Sequence, residues 1–109
     1  MKFGQLKEVL DGNNIILKVS DIIVQDLAFR LGYETDFYDR GYDVDDWMES
    51  TFDYAIGDYI DFAANSYDMT NLDRLGIDGY SYFDNREVNK VATEYIDDFD
   101  GECLVITLA

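Results

Sequence analysis

Apolar residues recur along this chain at two different periods. In "FGQLKEVL", Phe3, Leu6, Val9 and Leu10 follow the three-four spacing of a short helix, which "DGNN" ends. "IILKV" is rich in β-branched residues and bounded by turn formers, so it predicts a strand. "SDIIVQDLAFRLG" predicts a helix with Ser20 as N-cap, Ile23, Leu27 and Leu31 on one face, and Gly32 at its end. Residues 46–63, placed at about 100° per residue, put Met48, Phe52, Ala55, Ile56, Tyr59 and Ala63 in one arc. Asp46, Glu49, Asp53 and Asp61 fall on the opposite arc. The same spacing predicts a helix capped by Asp43, with Tyr42 packed on Trp47, Tyr59 in the core, and Gly57 costing about 1 kcal/mol relative to alanine. Near the other end, "EVNKVATEYI" and "ECLVITL" flank "DDFDG", the pattern of a β-hairpin. These elements predict an α+β fold: a small antiparallel sheet from the N- and C-terminal segments, the first helix on one of its faces, and an acidic helical middle over approximately 33–84.

A chain of 109 residues is the size of a single domain. Its apolar share of 48%, with seven Phe, nine Tyr and one Trp, is too high for a disordered acidic tail. Cys103 is the one cysteine, and its place in "CLVITL" predicts a buried thiol in a reducing compartment. No apolar run approaches the roughly 20 residues of a membrane span. The N-terminus lacks the apolar core of a signal peptide, so the expected location is the cytoplasm.

Charge changes this picture. Twenty-four acids against eight bases give a net −16, whereas a small soluble domain carries a magnitude of about 2–8. The excess is concentrated: residues 33–100 hold nineteen of the acids and four bases, Arg40, Arg74, Arg86 and Lys90. A negative surface repels nucleic acid and anionic lipid, so the expected partner is a basic protein surface and neither nucleic acid nor membrane. On a helix rising about 1.5 Å per residue, carboxylates four apart are spaced like next-nearest phosphates of one DNA strand, which advance about 3.4 Å per step. Asp46, Glu49 and Asp53 are expected to share one exposed face. Eight of the nine tyrosines fall between Tyr33 and Tyr82, interleaved with acids, and tyrosine supplies a rigid apolar body with a polar tip suited to an interface. The expected partner-binding residues are therefore Asp39, Asp43, Asp45, Asp46, Glu49, Asp53, Asp58 and Asp61, with Tyr38, Tyr42 and Tyr54. The competing explanation is a merely solvated face, of the kind a salt-loving organism puts on all its proteins.

Catalysis is not expected. Without histidine there is no Ser-His-Asp triad and no histidine metal site. "IDDFDGECLVIT" places Gly101, Asp98 and Asp100 as a calcium loop requires, but Ile96 and Thr107 stand where carboxylates are needed. Gly-rich phosphate loops are absent from the sequence. Neither a metal nor a cofactor is expected.

The stripe "DVDDWMESTFDYAIGDYID" with the following "NSYDMTNLDRL" resembles the DNA-mimic inhibitors of phages and mobile elements, the anti-restriction and anti-CRISPR proteins, in its acidic style over roughly Tyr33 to Asp84. The two framing segments resemble those of small phage and plasmid proteins. The resemblance implies an inhibitor that blocks the basic nucleic-acid site of a bacterial defence nuclease in the host cytoplasm. The alternatives are an immunity-protein or antitoxin-like inhibitor of one toxin nuclease, and a phage structural or assembly protein whose charge is incidental.

Overall fold

A computed structural model describes residues 1–10, 15–30, 44–67 and 69–109. The elements run α1 (Phe3–Lys7), β1 (Ile15–Lys18), α2 (Asp21–Arg30), α3 (Val44–Thr51), β2 (Ala55–Ile56), β3 (Tyr59–Asp61), α4 (Phe62–Asn65), α5 (Asn71–Arg74), β4 (Val88–Ile96), a 3₁₀ turn (Asp97–Phe99) and β5 (Gly101–Leu108). The fold is α+β, as the pattern predicts. Its sheet is mixed rather than wholly antiparallel. The strand order is β2-β3-β1-β5-β4, with β1 parallel to β5 and every other pair antiparallel. No helix among the described residues is long and apolar enough to cross a membrane.

Alternation along the strands sorts the side chains onto two faces. Ile15, Leu17, Ile60, Ile106 and Leu108 build the main core with Phe3 of α1, Ile23 and Val24 of α2, Trp47 and Met48 of α3, Phe62, Leu72 and Phe83. Ile16, Cys103 and Val105 point to the other face and form a smaller cluster under Tyr59, Ile96 and Phe99. The N-terminal segment is tied to the sheet through the Lys2–Glu87 bridge and the bond from Val88 N–H to the Met1 carbonyl, 2.8 Å.

The predicted helix over 46–63 is not formed. α3 stops at Thr51, and the chain turns into the β2–β3 hairpin. Phe52, Ala55, Ile56 and Tyr59 fit a helical arc, yet this run is also rich in the aromatic and β-branched residues that favour strands. Gly57 and Asp58 decide between the two. Ile56 pairs with Tyr59 across this two-residue loop, and Gly57 takes φ +59°, as the first position of a tight hairpin turn requires. Tyr59 therefore caps the minor cluster instead of entering the main core.

Candidate functional site

Glu49 lies on the outer side of α3, opposite the buried Trp47, Met48 and Thr51, and is exposed. Asp58 sits exposed in the β2–β3 turn. Tyr54, in the left-handed region at φ +52°, is 75% exposed. These three expected partner-binding residues are displayed to solvent.

Asp53 and Asp61 serve the fold. Asp53 lies beyond the end of α3, so the expected shared helical face with Asp46 and Glu49 does not exist. Asn65, 2% exposed, accepts from the Asp53 N–H at 2.8 Å and donates its side-chain amide to the carbonyls of Asp53 at 2.6 Å and Asp61 at 2.8 Å. The Asp53 carboxylate in turn accepts from the Asn71 backbone N–H and side-chain amide, both at 3.3 Å. Asp61 caps α4 by accepting from the Ala64 N–H at 3.2 Å. This knot takes over after the helical bond from Phe52 N–H to the Met48 carbonyl at 2.9 Å. Asp53→Ala leaves the Asn71 backbone N–H without its acceptor, while the Asn71 side-chain amide keeps the Ser50 carbonyl at 3.3 Å. The substitution is expected to destabilise by about 1–3 kcal/mol in a denaturant titration. A loss no larger than that of Asp58→Ala would show that the Asp53–Asn71 bonds are not structural.

Tyr38, Asp39, Tyr42 and Asp43 lie outside the described residues, as do the side chains of Asp45 and Asp46, whose backbone is in α3.

A second acidic group, which the sequence pattern did not single out as a site, stands at the β4–β5 hairpin. Asp97, Asp98, Asp100 and Glu102 are all exposed there, on a hairpin that extends past the end of β1, which pairs only with residues 104–107 of β5. Asp100 adopts φ +65°, closing the 3₁₀ turn by donating its N–H to the Asp97 carbonyl at 3.1 Å. The β2–β3 turn lies at the opposite end of the sheet, because β3 runs antiparallel to β1. Six residues of β5 separate the two levels, or roughly 20 Å.

Lys2, Lys7, Lys18 and Arg86 are committed internally. Lys7 is buried: its ammonium lies 2.6 Å from Asp84 Oδ1 and 3.6 Å from the Tyr80 ring centroid, and donates to the Tyr80 carbonyl. Arg86 pairs with Asp26 at 3.1 Å, and Lys2 with Glu87 at 3.0 Å. Lys18 lies over the Tyr59 ring. The Lys2 ammonium and the N-terminal ammonium beside it hold the Glu87 carboxyl below its ordinary range. The Ser81 hydroxyl, followed by the Tyr80 N–H, does the same for Asp78. The carboxylates of Glu49, Asp58, Asp97, Asp98, Asp100 and Glu102 receive no hydrogen bond and no cation from the described residues.

Nucleophilic chemistry finds no support at Cys103. Burial raises its thiol pKa above the ordinary value, and the Asp61 and Asp100 charges raise it further. The thiol is expected to react with a disulfide reagent far more slowly in the native protein than in denaturant. Equal rates would show that the minor cluster opens freely. No group of metal-ligating side chains occurs among the described residues.

No protein-family model, no curated protein and no solved structure matches this chain.

Proposed function

We propose that the chain is an acidic binding module that occupies the basic nucleic-acid-binding surface of a bacterial defence nuclease and blocks it as a nucleic-acid mimic, in the manner of anti-restriction and anti-CRISPR inhibitors. One observation carries this reading. The cations of Lys2, Lys7 and Arg86 are paired within the molecule, while five exposed carboxylates at two ends of the sheet, Asp58 at one and Asp97, Asp98, Asp100 and Glu102 at the other, and Glu49 on α3 have no partner among the described residues. Six carboxylates of a chain with a net charge of −16 are thereby displayed rather than neutralised.

Like charges held this way destabilise the free protein and become favourable when a positive groove meets them. The roughly 20 Å between the β2–β3 turn and the β4–β5 hairpin spans about six phosphate steps along one strand. Asp58 at one end of the sheet and the four hairpin acids at the other can therefore meet cations that are arrayed for a backbone, and no base is offered for reading or bond for cutting. Exposed Tyr54, Tyr67 and Tyr95 add apolar bodies with hydroxyl tips around the charges. The reading places the protein in the bacterial cytoplasm, where such nucleases act.

Expression of the chain in a bacterium with an active restriction or CRISPR defence tests the reading. Phage plating efficiency is expected to rise only when the defence nuclease is present. With the purified nuclease, the protein and nucleic acid should exclude each other. A stable ternary complex with undiminished nucleic-acid affinity contradicts mimicry.

A further inference from the structure

The two edges of the sheet differ greatly. β2 ends one edge with two residues, too short to template another strand. β4 ends the other with nine residues, "VNKVATEYI", none of them buried and none proline. The Met1–Lys2 segment covers the start of this edge, through Phe3 N–H to the Arg86 carbonyl and Val88 N–H to the Met1 carbonyl. Past Val88, the outer backbone groups of β4 have no backbone partner among the described residues. On the core-bearing side of the sheet Val91 is 48% and Tyr95 74% exposed, with exposed Thr93 between them.

We infer that β4 is a self-association edge, and that its occupant is β4 of a second copy of this chain, paired antiparallel about a two-fold axis to join the two sheets. Such an axis stands perpendicular to the sheet, so paired positions lie on the same face and their numbers sum to an even value. Beyond the β-bulge between Val88 and Lys90, the register centred on Ala92 pairs Ala92 with Ala92, Val91 with Thr93, and Lys90 with Glu94. Lys90 and Glu94 are the only charged residues in β4, they share a face, and neither has an ion pair among the described residues. This register places each opposite the other twice by symmetry. The registers centred on Val91 and Thr93 pair Lys90 with Ala92 and Ile96 instead. The paired stretch 90–94 begins just past the β-bulge that follows the part of the edge occupied by Met1.

Net charge does not forbid the dimer. β4 itself is neutral, with one lysine and one glutamate. Antiparallel pairing points the two acidic hairpin ends in opposite directions, roughly 40 Å apart at about 3.4 Å per residue, which is several Debye lengths at physiological salt. Added salt should therefore preserve or strengthen the dimer, whereas it should weaken binding to a basic partner, so the two readings can fail separately.

Sedimentation velocity on the full chain over a concentration series tests the edge, with circular dichroism as the check on folding. The parent chain is expected to show a concentration-dependent monomer–dimer equilibrium. Lys90→Glu alone and Glu94→Lys alone place like charges opposite each other and should each weaken dimerisation roughly tenfold or more. Lys90→Glu combined with Glu94→Lys should restore it, and a mixture of the two single variants should form a heterodimer. A parent chain that stays monomeric throughout overturns the inference. So does a dimer indifferent to the single substitutions, or a double variant that does not recover.

Discussion

Gly79→Ala is expected to destabilise the protein by about 4 kcal/mol or more, a drop of roughly 15 °C in melting temperature, or to prevent folding. A Cβ at this buried position would lie 1.8 Å from the Asn65 carbonyl oxygen, 2.9 Å from the Asn65 carbonyl carbon and 3.3 Å from Leu72 Cδ1. The first two are backbone atoms, and they cannot swing aside. Asn65 is fixed by its bonds to the Asp53 N–H and to the carbonyls of Asp53 and Asp61, so moving it breaks the knot that ends α3. Moving the 78–80 turn instead draws away from Leu72, which is wholly buried in the core. Gly76→Ala is the control. Gly76 has φ +77° with open space around its Cβ position, so alanine there should cost only the left-handed strain, about 1–2 kcal/mol. Thermal melts of both variants check the ordering, and equal losses would mean that the 79–65 contact is loose.

Neutralising the β4–β5 acids is expected to separate binding from stability. The variant is Asp97→Asn, Asp98→Asn, Asp100→Asn and Glu102→Gln. Asparagine tolerates the left-handed conformation of residue 100 nearly as well as aspartate does, so the turn is kept. Removing four like charges relieves repulsion, and the melting temperature should hold or rise slightly. Inhibition of the target nuclease should fall by two orders of magnitude or more, because losing one member of a desolvated charge pair commonly costs about 2–5 kcal/mol. Dose-response inhibition beside a melt reads both quantities. Full inhibition with an unchanged melt would reduce these acids to a solvated face.

Where a segment's pattern was consistent with only one period, the sequence showed its fold. α1, β1 and the β4–β5 hairpin carry their own start and stop signals and form where the spacing predicts, and α2 forms over Asp21–Arg30, with Leu31 and Gly32 outside the described residues. Residues 52–61 were ambiguous, since their apolar positions satisfy both a helical arc and a strand alternation. Gly57-Asp58 was the local signal that could have settled it. The parallel pairing of β1 with β5 joins segments some ninety positions apart, and no local pattern encodes it. The acids divide in the same way. Asp53 and Asp61 look like Asp58 in the sequence, and only the position of Asn71 and Ala64 in the fold shows that the carboxylates of two of them bind backbone N–H groups while the third faces solvent. The hairpin acids match a calcium loop only in part, and their exposure follows from the register of β4 on β5, which no local pattern encodes.

The most direct measurement is capture from bacterial lysate on the immobilised protein, with elution by a short DNA duplex and mass-spectrometric identification. Capture is run in parallel with a variant carrying Glu49→Gln and Asp58→Asn in addition to the four hairpin substitutions. The expected result is a nuclease or its nucleic-acid-binding subunit that the parent chain retains, that duplex displaces, that raised salt releases, and that the neutralised variant fails to hold. A partner retained equally by the neutralised variant, or one that duplex DNA cannot displace, contradicts nucleic-acid mimicry by this acidic surface.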